Sequence, residues 1–411
     1  MSTVKINDSI AHISDVHIRY GSRHKEYRDV FQRTIDDLKS QNLKRIAITG
    51  DLFHIKINLS PNALELAGWF LKELSQIAPV DLILGNHDLN LQSLEQGNSI
   101  EPIIKLISDG YIVEKGAKKL PTHKGSGHGI FFFLHSGFYN VNDDIVYGVY
   151  SCLDNEILTL KTKDKDKTYI AMFHGPIYGS RGNNGYELHD SEYMMKLSTF
   201  NNFDIVMLGD IHEHQSFSLK TSATENIAYP GSLIQQDYGE TIDKGYIVWD
   251  LKKKTFSRKF IPNDYGFSSL HISKGELFEE RVDSLTLSNN PKKTKVSVTW
   301  EAFEEDYSVE KEKQIEKLIK SKYGCEVINV NFKQVSKQEE IDGISIEEEK
   351  DYTNVDEFES LLKDFVENSE YDNEEEVLEL SRKIDKELNH SSEKGKKWFL
   401  DGIEVWNLFS F

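Results

Sequence analysis

Five short apolar runs in the N-terminal half of the chain each end in Asp, Asn or His, with glycine close by. Ile10–Ile13 runs into Ser14-Asp15-Val16-His17, Arg45–Thr49 into Gly50-Asp51-Leu52-Phe53-His54, and Val80–Leu84 into Gly85-Asn86-His87-Asp88. Tyr169–Phe173 runs into His174-Gly175-Pro176, and Asp204–Leu208 into Gly209-Asp210-Ile211-His212-Glu213-His214. Runs this short read as buried strands; Ile130–Leu134 and Tyr246–Trp249 add two more. Tyr27, Phe31, Ile35 and Leu38 form a helical stripe before the second run, and Leu64, Ala67, Phe70, Leu71 and Leu74 form another before the third. Strands alternating with helices imply an α/β layered domain. In such sheets ligands bind where strands end, so the five endings converge on one crevice.

The residues at those endings are carboxylates, one amide and several imidazoles, with no thiolate. That donor set suits Mn²⁺, Fe or Zn²⁺. There are too many donors for one ion, and a single carboxylate can bridge two ions about 3.5–4 Å apart. Taken singly, each residue has a plainer reading: an Asp after a strand is commonly a helix cap or turn residue, and a lone His beside an apolar run is commonly a core or surface residue. Five such endings in one chain outweigh that reading.

Composition sets the frame. The 411 residues allow two to four domains. No apolar run approaches the roughly 20 residues needed to span a bilayer, and the opening MSTVKINDSIAHISD lacks an apolar signal core. Cys152 and Cys325 form no CxxC, which fits a reducing cytoplasm and argues against a thiolate metal site. The net charge of −19 is uneven: residues 339–390 carry −15 and the remainder only −4. The body is therefore nearly neutral, and charge neither favours nor excludes a phosphate-rich substrate.

The texture changes near residue 256. Residues 1–255 read as the main domain and 256–334 as a small one with strands at 293–299 and 325–332 around a charged helix at 308–320. An acidic linker, 335–351, leads to a helix-loop-helix segment at 352–395, where Phe358, Leu361, Leu362, Phe365 and Val366 make one stripe and Val377, Leu380, Ile384 and Leu388 a second. Residues 396–411 form a hydrophobic tail.

The ordered set DxH, GDxxH, GNHD, HGP and GxxH resembles the calcineurin-like metallophosphoesterase superfamily. GDLFH followed by Ser60-Pro61, and Tyr229-Pro230-Gly231-Ser232 after the last histidine motif, are similar to the SbcD-type nuclease subunit of DNA double-strand-break repair complexes, with its phage and bacterial recombination counterparts. The motifs cover residues 10–250; beyond them the likeness is one of domain order. The resemblance implies a layered β-sandwich with flanking helices, a small α+β capping domain and a C-terminal helical pair. It implies two divalent metal ions, Mn²⁺ favoured, held by Asp15, His17 and His212 on one side and Asn86 and His174 on the other, with Asp51 bridging. His87 matches the catalytic histidine, and His54 the second phosphate-facing histidine of the nuclease branch. The implied activity is two-metal hydrolysis of DNA phosphodiester bonds, exonuclease or endonuclease. The alternative is another phosphoester on the same fold, a protein phosphatase or cyclic-nucleotide phosphodiesterase. The implied partners are DNA, an SMC-like ATPase of the SbcC type docking on residues 352–390, and a second copy of the chain, with no membrane; the compartment is the bacterial or phage-infected host cytoplasm.

One motif departs from the pattern. Where the family usually reads Gly-His-x-His, this chain reads Gly209-Asp210-Ile211-His212. Asp ligates the same ions, so Asp210 is counted a metal ligand. A register shift would hand the position to His214, otherwise a surface residue. Arg181, in the Gly/Asn-rich loop 178–190, is equally a phosphate contact or an ordinary surface residue. The tail from Trp398 to Phe411 resembles the opening strand of the partner-type ATPases, as in a nuclease–ATPase fusion, or is a hydrophobic tail that docks on a partner or folds back. Cys152 and Cys325 are read as packing residues, and His12, His24, His123, His128, His135, His189, His271 and His390 match no motif.

Overall fold

The computed structural model describes residues 8–335, apart from 20, 57–58, 91–94, 96, 155, 183–186, 189–193 and 220–223. The linker beyond 335, the helix-loop-helix segment with its stripes and the hydrophobic tail lie outside the described residues.

The apolar runs are strands, and they build two facing sheets. In the first, β1 (Ser9–Ile13), β2 (Leu43–Thr49), β3 (Val80–Ile83), β4 (Gly110–Val113) and β5 (Ile130–Phe133) are parallel, while β12 (Gly245–Asp250) pairs antiparallel with β1 and β13 (Thr255–Phe260) antiparallel with β12. The strand order is β13-β12-β1-β2-β3-β5-β4. The second sheet runs β10 (Gln215–Phe217), β11 (Ile227–Tyr229), β9 (Ile205–Gly209), β8 (Thr168–His174), β7 (Ile145–Tyr150) and β6 (Gly137–Asn140), with β11, β9, β8 and β7 parallel. Strands buried on both faces read as continuous apolar runs because neither face meets water.

Between the sheets, Ile10, Ala47, Ile83, Phe131 and Phe133 meet Tyr147, Ile170, Met172, Ile205 and Met207. Arg45 crosses this layer and forms a buried pair with Asp81, at 2.5 Å from each carboxylate oxygen, which also accepts from Tyr147 Oη at 2.8 Å. On the outer face of the first sheet lie α1 (His24–Ser40), α2 (Pro61–Ser75) and α3 (Ile100–Leu106), which bury Tyr27, Phe31, Ile35, Leu38, Phe70, Leu71 and Leu74. Ser60 caps α2 by accepting from Ala63 N at 3.2 Å, with Pro61 in the first turn. Leu64 corrects the stripe expected there: it is 37 % exposed, and Ala63 and Leu66 take its place in the core. Among the described residues these helices flank the first sheet. Among the described residues, the crossovers joining β7 to β8 and β8 to β9 contain no α-helix.

A third, all-parallel sheet holds β14 (Gly266–Ile272), β15 (Thr294–Ala302) and β16 (Glu326–Gln334), covered by α4 (Phe278–Val282) and α5 (Val309–Tyr323). The helix between β15 and β16 falls where the charged pattern places it; β14 and α4 add a further strand and helix. Among the described residues no helix is long and apolar enough to cross a membrane.

Candidate metal centre

β1, β2 and β3 end side by side in one sheet, and β8 and β9 end side by side in the other. The two sets meet at their carboxyl ends. Thr49 Oγ1 donates to Leu208 O at 3.2 Å, His174 Nδ1 to Thr49 O at 2.7 Å, and Ser14 Oγ to Thr49 O at 3.2 Å. Small residues make this approach feasible. A Cβ on Gly85 would lie 2.1 Å from Asp51 Oδ1, and one on Gly209 would lie 2.2 Å from Thr49 O.

The backbone turns just past the strands are left-handed at Asp15 (φ 51°), His17 (φ 49°), Asp51 (φ 53°) and Asp210 (φ 98°). Such values are uncommon outside glycine and concentrate at functional sites. Asp88, fully buried, holds the turn at Asp51. Its Oδ2 accepts from Asp51 N (2.8 Å) and Gly85 N (2.9 Å), and its Oδ1 from Leu52 N (3.0 Å) and Phe53 N (3.3 Å).

The side chains thus gathered form three overlapping groups. Asp15, His17 and His212 have donor atoms mutually within 4.8 Å, as do Asp15, Asp51 and His174, and also His17, His54 and His87. Asp51 Oδ2 is 3.4 Å from His17 Nε2 and its Oδ1 is 3.4 Å from His174 Nε2, so one carboxylate faces both sides. Asp210 Oδ1 stands 3.8 Å from His174 Nε2, and its N–H donates to both oxygens of Asp15 at 3.1 Å. Asn86 Oδ1 and His174 Nε2 are buried with no hydrogen-bond partner.

The tautomers follow from what the other ring nitrogen meets. A carbonyl or carboxylate oxygen can only accept, so Nδ1 carries the proton in His174 (to Thr49 O), in His87 (to His54 O, 2.8 Å) and in His212 (to Glu240 Oε1, 2.6 Å). The Nε2 atoms of His174 and His212 then turn toward the carboxylates. His17 and His212 point their Nε2 atoms at each other across 2.9 Å. Burial pushes Asp15 up to about 6, against the pull of His174 and His212. Burial also acts to raise Asp51, but the His174 charge outweighs it and holds Asp51 below the usual carboxylate range. Burial drives His17 well down. Burial acts to lower His174, but the Asp51 carboxylate outweighs it and holds the imidazole above its usual range.

This donor set fits divalent cations. Three carboxylates converge with neutral imidazole lone pairs and an unpartnered amide oxygen, and a buried polar atom left without a partner is costly unless something satisfies it. Asp15, His17, Asp51, His174, Asp210 and His212 all fall within the cluster, and Asn86 lies in the turn beside it. His54 and His87 sit at its edge, their rings stacked at 5.5 Å, with His87 edge-on to His17 at 4.9 Å. His214 is not brought in. Its Nδ1 donates to Tyr229 O at 2.7 Å and its ring packs on Phe256 at 5.5 Å. Arg181 faces Gln215, its N–H donating to Oε1 at 2.7 Å.

Two residues here carried no sequence signal of their role. Asp88 stood inside the GNHD motif as an unassigned letter. Glu240 belonged to no motif, yet its buried carboxylate fixes the tautomer of His212 and is held down toward about 2, burial being outweighed by His212 and Lys244.

An uncharacterized protein of Acanthamoeba polyphaga mimivirus is 35 % identical over 286 residues, which is 66 % of this chain and 19 % of that protein, so the chain spans about a fifth of that relative's length. The crystal structure of Pseudomonas putida nuclease MPE superposes with a TM-score of 0.23 at 17 % identity, covering 44 % of this chain and 67 % of that one. The sequence model of the calcineurin-like phosphoesterase family matches residues 9–214, half of the chain and the whole span from β1 to the last histidine motif, and the chain belongs to that family.

Proposed function

We propose that the chain is a Mn²⁺-dependent DNA phosphodiesterase, the nuclease part of a repair or recombination assembly. Asp15, His17 and His212 would hold one cation, Asn86, His174 and Asp210 the other, with Asp51 shared. When bound, two divalent cations neutralise phosphate charge and acidify water between them. The chain's own residues do the rest. The observation that carries the reading is the pair of imidazoles outside the ligand set: His54 and His87 stacked beside the cluster. A phosphodiester leaves as a poor alkoxide, so it gains from a proton donor at the leaving oxygen. With Nδ1–H donating to His54 O, the imidazolium form of His87 would present Nε2–H to the leaving oxygen and end as the neutral Nδ1–H tautomer. Burial and the Arg19 charge push His54 down to about 4, so it meets the substrate neutral, as a hydrogen-bonding partner. Arg19, held through Nε by Gln236 Oε1 at 3.0 Å, adds positive charge beside His54.

The decisive assay compares cleavage of linear duplex and single-stranded DNA with that of a small generic phosphodiester, in Mn²⁺ and in Mg²⁺, with Asp51→Asn as the control. Cleavage of DNA well above the generic ester supports the proposal. Turnover of the small ester alone assigns the site to another phosphoester. The two apolar stripes within residues 352–390 support an SMC-like ATPase as partner through a helix-in-groove contact. Removal of residues 352–411 is expected to abolish that association and to spare Mn²⁺-dependent cleavage of short single strands.

A further inference from the structure

The carboxylate of Glu240 is tied to more than His212. Its Oε2 accepts from Ser232 Oγ (3.1 Å), Gln236 N (2.9 Å) and Lys244 Nζ (3.0 Å), while Oε1 takes the His212 Nδ1 proton at 2.6 Å. Lys244 also donates to His212 O at 2.9 Å, and Ser232 N to the same oxygen at 2.9 Å. The loop 232–240 therefore grips one metal-facing residue at both its ring and its backbone.

The same loop grips the third sheet. Gln235 is 2 % exposed, and its side-chain amide pairs with the backbone of Phe267 in β14 as another strand would. Nε2 donates to Phe267 O at 2.7 Å and Oε1 accepts from Phe267 N at 2.8 Å. The second Nε2 proton goes to Glu240 O at 2.8 Å. Three hydrogen bonds of this buried amide thus join β14 to the residue that orients His212. Arg23 braces the joint, donating to Gln235 O at 2.6 Å with its guanidinium 4.9 Å from the Phe267 ring.

We propose that Glu240 is the positioning residue of His212, and that Gln235 couples it to the third sheet, so that the seating of β14 sets the cation affinity of the Asp15–His17–His212 position. The inference rests on the two-cation reading of the site. The physical basis is that a carboxylate behind a ligating imidazole fixes its tautomer and raises its basicity. A strut between that carboxylate and the third sheet makes the imidazole's aim depend on where β14 sits. By reciprocity, filling the position favours the seated arrangement of β14. Among the described residues, Asn86, His174 and Asp210 make no hydrogen bond to this loop, so the second position does not depend on it directly.

The test is a Mn²⁺ titration of the full chain followed by the loss of the free Mn²⁺ signal in electron paramagnetic resonance. It resolves both equivalents without any turnover. Glu240→Gln is expected to weaken one equivalent by about 10–100-fold and to leave the other at its wild-type affinity. Gln235→Ala, which keeps the Glu240–His212 contact, is expected to weaken the same equivalent by about 10-fold. Gln235→Met, of similar volume, stands in if the alanine variant fails to fold. Wild-type affinities in Glu240→Gln overturn the positioning role, and wild-type affinities in the Gln235 variants overturn the coupling. Equal weakening of both equivalents means general loosening of the fold and also overturns it. A wild-type chain that takes up no Mn²⁺ refutes instead the two-cation reading beneath the proposal.

Discussion

Asp88→Asn isolates the clamp beneath the bridging carboxylate. Asp88 is fully buried and accepts four backbone N–H groups, two on each oxygen. An asparagine keeps one oxygen, which can serve two of them. Its NH₂ faces the other two, donor against donor. A buried N–H stripped of its acceptor costs about 1–3 kcal/mol, so two give roughly 2–6 kcal/mol against a total stability of about 5–15 kcal/mol. Removing the charge also relieves repulsion with Asp51, which moves the expected loss toward the lower half of that range. The left-handed turn at Asp51, φ 53°, loses its support, so Mn²⁺ uptake should fall with stability. Urea unfolding reads the first quantity and metal content after dialysis the second. An asparagine variant within about 0.5 kcal/mol of wild type, with full metal content, would refute the clamp, since a change of that size is typical of surface substitutions away from such features.

His87→Ala should keep both cations and DNA binding yet lose turnover by about 10²–10⁴-fold; loss of metal in that variant would make His87 a ligand instead. Asp210→Ala should weaken Mn²⁺ uptake at one position, while His214→Ala, whose ring is bonded to Tyr229 O, should leave uptake unchanged; the reverse result would restore the shifted register. His12 is fully buried between Thr49 and Trp249, and burial lowers its pKa from 6.5 to about 3. Since the unfolded chain protonates first, stability is whole above pH 6.5 and falls as pH drops toward 3, by up to roughly 4–5 kcal/mol. His12→Gln should flatten that acid limb in unfolding curves, and an unchanged slope would place its origin elsewhere.

What could be read in the chain, and what could not, divides along one physical line. An apolar run that breaks into Asp, Asn or His is a local signal, and all five such endings lie at strand ends around one cluster. The stripes of α1 and α2 are local too, since burial follows a 3.6-residue period within one element; of the residues read there only Leu64 falls off the buried face. Asp88 and Glu240 act through contacts that local pattern does not encode. Asp88 reaches backbone some 35 residues away because β2 and β3 end together, and Glu240 reaches His212 because loop 232–240 doubles back. The strands β10 and β11 have three residues each, too few to show any period. They nevertheless settle where His214 points. Gln215 pairs with Tyr229 across that hairpin, so the residue just before it turns its ring to the Tyr229 carbonyl and away from the cluster.

The last prediction concerns metal removal. Four of the five non-glycine residues with left-handed φ among the described residues belong to the cluster. Each such residue costs about 1–3 kcal/mol, so together they store roughly 4–12 kcal/mol, which only a surrounding network can hold. That network is made of protein. His17 N donates to Asp51 O at 2.9 Å, Ile18 N to Leu52 O at 2.9 Å, and His54 N to Ile18 O at 3.2 Å. Tyr27 Oη donates to His17 O, Asp210 N to the Asp15 carboxylate, and His87 N to Asp51 Oδ1 at 2.8 Å. None of these bonds uses a metal-facing lone pair of His174 or the oxygen of Asn86. The turns are therefore set before any cation arrives, unlike the small zinc domains whose metal is their folding energy. What the cation changes is charge, by relieving three converging carboxylates. The chelated chain should accordingly keep its circular dichroism spectrum at 25 °C, and adding Mn²⁺ at about 100 times its Kd should stabilise it by roughly 2.7 kcal/mol per position. If chelation instead abolishes the spectrum of the folded chain, the strained turns depend on the metal, and the site is built by its cations rather than for them.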